Sequence, residues 1–216
     1  MSKVVESAAT AQLNDYLLTN NLMPRYLSAY RKKHSTETAL LRVWSDTLNA
    51  TETRQVTLLG LLDLSSAFYC VDNHLLLQRM EHGFGLSDVV LLWINSFFSD
   101  RTQQVAYAGE LPTNRPLLFG VPRGSALGPL LYILYTAELE QVGARHGMRL
   151  HECADDSQLY IHVTITDTPV VEQCLTAYVS EVNQWMRASR FRLNPAMTEV
   201  MWLGSHQQLK NVDITF

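Results

Sequence analysis

The chain has 216 residues, of which 47% are hydrophobic and 18% are charged, and its net charge is −4. This composition is typical of a soluble globular protein with a hydrophobic core, and the acidic balance excludes a domain that is basic over its whole surface. Binding to nucleic acid would therefore need a local basic patch. The three cysteines lack CxxC spacing, so they predict neither a disulfide framework nor a zinc site and favour a reducing setting.

Two further stretches of the sequence indicate where in the cell the protein is located. The N-terminus has no apolar segment of the kind that directs secretion. The longest uncharged, apolar-rich run covers residues 124–137, which is too short to span a bilayer. We therefore expect an intracellular protein, in the cytoplasm and nucleus, that does not associate with membranes.

Apolar residues at helical spacing predict a first helix over residues 3–20. The most basic stretch of the chain comes next, and two tyrosines are interleaved with its charges. It consists of Arg25, Arg31, Lys32, Lys33 and His34. Such a stretch can contact a phosphate backbone while the tyrosines stack on bases, or it can be a solvated basic loop, and both interpretations stay open.

A second helix is predicted to follow Ser35 and to end near residues 49–50. Ser35 can cap its first turn, but Thr38 stands where a capping box has an acid, so we expect an imperfect box. The apolar run 56–62 then predicts a central strand that is buried on both faces. Asp63 ends this strand, either as a group with a chemical role or as a surface residue.

The rest of the chain alternates between helical and strand-like patterns. The predicted helices are 74–82, 87–98, 125–142 and 169–188, and the predicted strands are 102–107, 117–121, 148–154, 158–164, 190–193, 199–203 and 212–216. A glycine-bounded loop over residues 120–125 precedes one of these helices. Its backbone can approach a ligand closely, and a helix N-terminus favours anions, although an ordinary turn explains the same residues.

Asp155 and Asp156 lie between two predicted strands, at the expected tip of a hairpin. Adjacent carboxylates repel one another, and a hairpin tip can expose both of them to water. A divalent cation can also hold them together, since it prefers oxygen ligands. The pair by itself is compatible with an acidic turn and with a metal site.

Four stretches, in this order and spacing, resemble the reverse transcriptase domain of a non-LTR (LINE-type) retrotransposon. They are residues 61–68 with 71–72, 120–125 with 127–131, Ala154-Asp155-Asp156, and 185–186 with 193–194 and 198–199. A segment within residues 28–40 resembles the fingers region of the same family. The resemblance implies an α+β fold, the palm of a right-hand polymerase with an antiparallel sheet backed by helices. The palm would occupy residues 56–216, after a partial fingers region at 1–55 and without a thumb.

The resemblance also implies a reaction, the two-metal transfer of nucleotides from dNTPs onto a DNA primer that is paired with an RNA template. Asp63 and Asp155 would be the main ligands of two Mg²⁺ ions, for which Mn²⁺ can substitute, and Asp156 would be more peripheral. The backbone carbonyl of Leu64 would coordinate the metal on the triphosphate side.

Further residues are implied to contact the nucleotide and the primer. Phe68 would exclude a 2′-hydroxyl, although an ordinary core phenylalanine explains it as well. Pro122, Arg123 and Gly124 would lie against the template base and the incoming nucleotide. Cys153, next to Ala-Asp-Asp, would lie near the primer end.

The chain departs from the family pattern at sensitive places. Cys153 replaces an aromatic residue, and Arg123 replaces a glutamine and cannot accept a hydrogen bond. Met197 replaces a lysine that would protonate the leaving pyrophosphate, and Tyr69 and Asn73 also differ from the pattern. We therefore expect a truncated, partly decayed copy of an element. The alternatives are an inactive retrotransposon remnant or a co-opted nucleic-acid-binding module; a metal-dependent hydrolase has no nucleophile-and-base signature here.

Overall fold

The structure, a computed structural model, describes residues 3–28, 34–65, 67–104, 113–122, 124–153 and 156–212. Its helices are α1 (Lys3–Thr19), α2 (Thr36–Glu52), α3 (Ala67–Cys70), α4 (Asn73–Phe84), α5 (Asp88–Phe98), α6 (Gly128–Thr136), α7 (Glu138–Arg145), α8 (Thr168–Ala188) and α9 (His206–Leu209). Its strands are β1 (Gln55–Asp63), β2 (Thr102–Gln103), β3 (Arg115–Pro116), β4 (Arg149–Cys153), β5 (Asp156–Thr164) and β6 (Glu199–Leu203). The chain forms two compact units: a helical unit, residues 1–23 with 66–136, and a sheet unit, residues 24–65 with 137–216.

The sheet unit is built on an antiparallel sheet. Among the described residues, this sheet has four strands in the order β4-β5-β1-β6, and every neighbouring pair is antiparallel. Helix α7 packs against β4, α8 against β5, and α2 against β1. The predicted α+β fold, an antiparallel sheet backed by helices, is confirmed.

The central strand β1 is buried on both faces, as its apolar run predicts. Successive side chains of a strand point to opposite faces. Val56 therefore packs on one face, in a cluster with Trp202 of β6. Leu59 packs on the other face with Tyr160 of β5 and Val43 of α2. Helices thus cover both faces of the strand that ends at the predicted catalytic aspartate.

The first turn of α2 is capped more completely than the sequence predicts. Ser35 Oγ accepts a hydrogen bond from Thr38 N at 3.3 Å, and Thr38 Oγ1 accepts one from Ser35 N at 2.8 Å. The expectation of an imperfect capping box is therefore wrong, because the threonine hydroxyl reaches back as an acid would. The helix also continues to Glu52, beyond its predicted end.

In the helical unit, α4 packs against both α5 and α6. Asp72 caps α4, because its Oδ1 accepts hydrogen bonds from His74 N and Leu75 N, both at 3.1 Å. Gly85 ends the helix with a φ of 65°, in the left-handed region that favours glycine. The predicted helix over 74–82 is thus confirmed with slightly wider bounds.

The single helix predicted over 125–142 is wrong, since α6 ends at Thr136 and α7 begins at Glu138. Arg79 Nη1 donates to the backbone carbonyl of Tyr135 at 2.7 Å, and it thus competes for an acceptor that a continuous helix would use. The hydroxyl of Thr136 also bonds back to the carbonyl of the preceding turn, a contact that bends helices. A residue distant in the sequence therefore contributes to the break.

Two predicted strands are absent from the described structure. Residues 190–193 supply only a single bridge, between Leu193 and Leu64, because Arg190 has a φ of 59° and so interrupts an extended run. Residues 117–121 likewise supply only one bridge, from Phe119.

The start of the predicted strand 102–107 pairs with residues 115–116, just before the predicted strand 117–121, as the short pair β2–β3. Residues 105–112 and 213–216 lie outside the described residues, and the predicted strands over 102–107 and 212–216 fall partly on them. In the described part of the chain, no helix combines the length and the apolar character needed to cross a membrane.

Candidate active site

Two acids of the predicted trio lie at the same end of the sheet, on neighbouring strands. Asp63 is the last residue of β1, Asp156 is the first residue of β5, and the two are direct partners in the antiparallel register. The Cα atoms of such partners are about 4.5–5.5 Å apart, and their side chains share a face. Asp63 is half-buried and Asp156 is exposed. Strand pairing therefore brings together two carboxylates, which are the hard oxygen donors that Mg²⁺ prefers.

The third acid, Asp155, lies outside the described residues. Strand β5 begins at Asp156 rather than at Gln158, so Asp156 belongs to the strand and not to the turn, contrary to the sequence prediction. Within the described ranges, no three His, Cys, Asp or Glu side chains come together in a metal-binding group. Asp63 and Asp156 fit a cation site by their chemistry and pairing, and Asp155 is the sequence neighbour that would complete it.

Asn194 contacts Asp63 through both its side chain and its backbone. Asn194 Nδ2 donates to Asp63 Oδ2 at 2.8 Å, and Asn194 N donates to the Asp63 carbonyl at 2.9 Å. The two residues are 131 positions apart in the sequence. Asn194 belongs to the fourth family-like stretch, but nothing in its local sequence pattern predicts this contact.

A polar network covers the more distant part of the face that carries Asp63. Asp46 of α2 accepts hydrogen bonds at Oδ2 from the Tyr160 hydroxyl and from Arg149 Nη1, both at 2.9 Å. Burial raises the pKa of Tyr160 to about 12, and the bond to Asp46 acts in the same direction. This network links α2 to β4 and β5, and it therefore helps to hold the strand that begins at the acid pair.

His151 of β4 is buried on the same side of the sheet. Its Nε2 lies 2.7 Å from Ser28 Oγ, while its Nδ1 has no hydrogen-bond partner among the described residues. Burial lowers the pKa of His151, and the positive charge of Arg42 lowers it further. The histidine is therefore held in its neutral form, as a structural group rather than an acid catalyst.

Glu152 is a buried acid that the sequence reasoning missed. Only 5% of it is exposed. Burial raises its pKa to about 8, with a further contribution from the negative charge of Glu140. Leu150 and Glu152 share the face of β4 that packs against α7, and no local pattern in the sequence indicates this burial. The carboxyl is mostly protonated at neutral pH and lies three residues before Asp155.

In the helical unit, backbone contacts connect the segment that carries Phe68 to the start of the glycine loop. The Phe68 ring stacks on Tyr132 with centroids 4.6 Å apart, and the Phe68 carbonyl accepts from Val121 N at 2.8 Å. Gly120 has a φ of 87°, and a Cβ there would lie 3.0 Å from the backbone of Tyr69. The glycine is thus required by both its dihedral angle and its close approach to the segment that carries Phe68.

The glycine loop, residues 120–128, is also held where it enters α6. Ser125 Oγ accepts from Gly128 N at 2.7 Å, and a Cβ on Gly128 would lie 2.8 Å from the Pro122 carbonyl. Glu6 of α1, which is 6% exposed, accepts from Ala126 N at 3.0 Å. The loop is therefore held at its start and at its entry into α6, whereas a Cβ on Gly124 would meet no atom within 4 Å.

The other predicted site residues are placed as follows. Leu64 is buried and forms the bridge to Leu193, just beyond Asp63. Arg25 is exposed, its guanidinium lies 5.4 Å from the centroid of the Tyr26 ring, and its backbone N donates to Glu140.

Several predicted site residues lie outside the part of the chain that the structure describes. Arg31, Lys32, Lys33 and Arg123 are not among the described residues, and Cys153 is described only through its backbone in β4. Their predicted roles in binding nucleic acid and nucleotide stay predictions, and so does the division of the chain into fingers and palm.

An antiparallel sheet backed by helices, with acids at the ends of two adjacent strands, is the architecture of a polymerase palm. The chain belongs to the reverse transcriptase family: its residues 1–213 match the family described as reverse transcriptase (RNA-dependent DNA polymerase). The predicted resemblance is confirmed.

Relatives from insect mobile elements support the same family. The probable RNA-directed DNA polymerase from transposon BS of Drosophila melanogaster is 26% identical over 203 residues, which cover 92% of this chain and 22% of the relative. The RNA-directed DNA polymerase from mobile element jockey of Drosophila funebris is 30% identical over 170 residues, 76% of this chain and 18% of the relative. The chain thus spans about a fifth of the length of these relatives.

Solved structures share the fold. A telomerase from Candida albicans, solved with a fragment of telomeric RNA, has a TM-score of 0.59 at 14% identity and matches 91% of this chain and 33% of its own length. An apo telomerase from Candida tropicalis has a TM-score of 0.60 at 13% identity. The match covers 92% of this chain and 39% of the telomerase. At such low identity these matches establish the fold alone.

Proposed function

We propose that this chain is part of an RNA-directed DNA polymerase and contains its catalytic carboxylates. It would act inside the cell, in the cytoplasm and nucleus, on an RNA template, a DNA primer and dNTPs. The observation that carries the proposal is the direct pairing of Asp63 with Asp156 at the end of the sheet, next to Asp155 in sequence. Family membership over residues 1–213 gives that pairing its chemical meaning.

The chemistry would be nucleotidyl transfer, in which the primer 3′-oxygen attacks the α-phosphate of a dNTP and pyrophosphate leaves. Asp63, Asp155 and Asp156 would hold two Mg²⁺ ions, or Mn²⁺ in their place, and the Leu64 carbonyl would add an oxygen ligand. The bound ions would supply electrostatic stabilisation for the attacking and leaving oxygens. The pairing of Asp63 with Asp156 on adjacent strands would allow both carboxylates to reach the same ion.

The nucleotide would be selected by the helical unit. Phe68, fixed by its stack on Tyr132 and by its backbone bond to Val121, would lie under the sugar and exclude a 2′-hydroxyl. Pro122, Arg123 and Gly124 would contact the base pair. The hydrogen bonds and close backbone contacts at Gly120, Ser125 and Gly128 support this role, because they hold both ends of the loop in place.

Primer extension tests the proposal directly. The full chain is incubated with a DNA primer on an RNA template, dNTPs, and Mg²⁺ or Mn²⁺. Asp63→Asn and Asp155→Asn are each expected to reduce incorporation by about 100-fold or more, because a neutral amide cannot replace an anionic metal ligand. Asp15→Asn, an exposed carboxylate of α1, is the matched control and should not change the rate. Incorporation that is unchanged in Asp155→Asn would refute the metal assignment.

A nucleic-acid-binding module without catalysis is the second candidate, and Met197 favours it. Its side chain is 64% exposed at the position where the family resemblance implies a lysine, and methionine cannot donate a proton to pyrophosphate. This candidate predicts no incorporation with either metal, together with RNA binding that weakens steeply as salt is raised.

A further inference from the structure

The segment that follows α8 is fastened to the end of β1. Ser65 N donates to the Arg192 carbonyl at 3.0 Å, Leu64 forms a bridge with Leu193, and Asn194 N donates to the Asp63 carbonyl at 2.9 Å. The backbone from Asp63 to Ser65 is therefore held in place by residues 192–194. This attachment brings the Asn194 side chain within reach of the Asp63 carboxylate.

The orientation of the Asn194 amide is determined by its second partner. Ala196 N, which can only donate, lies 3.2 Å from Asn194 Oδ1, so the amide oxygen must face Ala196. The amide nitrogen then faces Asp63, and Nδ2 donates to Oδ2 at 2.8 Å. Two hydrogen bonds, one at each end of the amide, thus fix the plane of the group that contacts Asp63.

The chemical character of this partner suits a metal ligand. A neutral amide donor holds one carboxylate oxygen and restricts its rotation, but it leaves the full negative charge of Asp63 in place. A lysine or an arginine at the same position would neutralise the carboxylate and repel a cation. Hydrogen bonds to a ligating carboxylate from outside the metal's own ligands are known to orient it and to raise metal affinity.

We propose that Asn194 is a positioning residue for Asp63 and that it raises the affinity of the acid site for a divalent cation. The inference rests on the proposed polymerase function, since it takes Asp63 to be a metal ligand. Asn194 acts through Asp63 and has no direct part in the transfer step. The same residue accepts hydrogen bonds at its carbonyl from Met197 N and Thr198 Oγ1, so the turn that carries Met197 depends on it as well.

These two roles of Asn194, donor and turn former, need variants that separate them. Asn194→Ala removes the side-chain contacts to both Asp63 and Ala196. Asn194→Ser keeps an oxygen that can accept from Ala196 N, as serine does in such turns, but it is too short to reach Asp63 Oδ2. Asn49→Ala, an exposed asparagine of α2, is the matched control.

The experiment measures Mn²⁺ binding to the full chain by the loss of the free-ion EPR signal, without nucleic acid or turnover. We expect the wild type to bind, Asp63→Asn to abolish that binding, and both Asn194 variants to weaken it by about 10-fold. Asn49→Ala should bind like the wild type. Circular dichroism melting shows which variants are folded, and Asn194→Ser alone decides the question if Asn194→Ala does not fold.

Two outcomes would overturn the inference, and they are distinguishable. Wild-type affinity in Asn194→Ser would show that only the turn matters, while the metal site and the proposed function would stand. A wild-type chain whose Mn²⁺ binding survives Asp63→Asn, or that binds none, would refute the metal site itself and the inference with it.

Discussion

The acid end of the sheet unit and the glycine loop of the helical unit are built in different ways. At the acid end, strand register places Asp63 beside Asp156, and one side chain, Asn194, donates to a carboxylate. In the loop, the chain is held by backbone hydrogen bonds, by side-chain acceptors on Ser125 and Glu6, and by close backbone packing at Gly120 and Gly128. The first region therefore depends on the charge of its carboxylates, and the second depends on close backbone packing at Gly120 and Gly128.

The comparison explains where substitutions should be tolerated. A carboxylate-to-amide change at the acid end keeps volume and removes charge, so it should affect metal binding more than folding. An added methyl group in the loop keeps charge and changes volume, so it should affect folding first. Three substitutions test this difference between the two regions, and their expected effects decrease from the first to the last.

The largest effect is expected in the loop, at Gly120. Gly120→Ala should lower the free energy of unfolding by about 3 kcal/mol, from left-handed backbone strain and from a Cβ placed 3.0 Å from the backbone of Tyr69. Gly124→Ala is the matched control, because it has a φ of 74° but no atom within 4 Å of its Cβ, and it should cost about 1 kcal/mol. Urea unfolding measures both. Equal losses would show that the close contact is unimportant.

The second prediction concerns the pH dependence of Glu152, beside the acid end. Its pKa is about 8 in the folded chain against an ordinary value of 4.5, so the folded state binds the proton more tightly. The stability that this proton provides is complete below pH 4.5 and is lost as pH rises through 8. Glu152→Gln, which stays neutral, should therefore gain stability relative to the wild type between pH 5 and pH 8.5.

Urea unfolding of both proteins at the two pH values measures this gain. The difference between variant and wild type cancels the contribution of His151 and His162, whose pKa values burial lowers and which therefore destabilise the fold at acid pH. Glu81→Gln, an exposed acid of α4, should show no such gain. If the free energies of unfolding of the variant and the wild type change equally between the two pH values, Glu152 is hydrated in the folded chain.

The smallest effect is expected at Met197, whose turn is attached to Asp63 through Asn194. Met197→Lys should raise the rate of primer extension by about 10-fold, because a lysine can supply the proton that the leaving pyrophosphate needs. The side chain is exposed, so stability should not change. Single-turnover incorporation measures the rate, and Met197→Gln, which is polar but donates no acidic proton, is the control. An equal rate in both variants would argue against lost proton donation.

Much of the fold was predictable from local patterns. The apolar run that ends at Asp63 predicted a buried strand, and the stripe over 169–188 predicted α8, because burial on one or two faces leaves a period in the sequence. The acid pair was predicted beside Asp63 only through the family resemblance. Asp156 was predicted to lie in the turn, whereas it is the first residue of β5 in the structure.

The sequence by itself determined the helices and strands that have their own caps and periodicity, and it determined which acids are candidates for the site. Tertiary structure decided the break between α6 and α7, where Arg79 takes the carbonyl of Tyr135, and the contact of Asn194 with Asp63. It also decided the burial of Glu152. The physical reason is the same in each case: the partner is distant along the chain, so its effect leaves no local pattern to read.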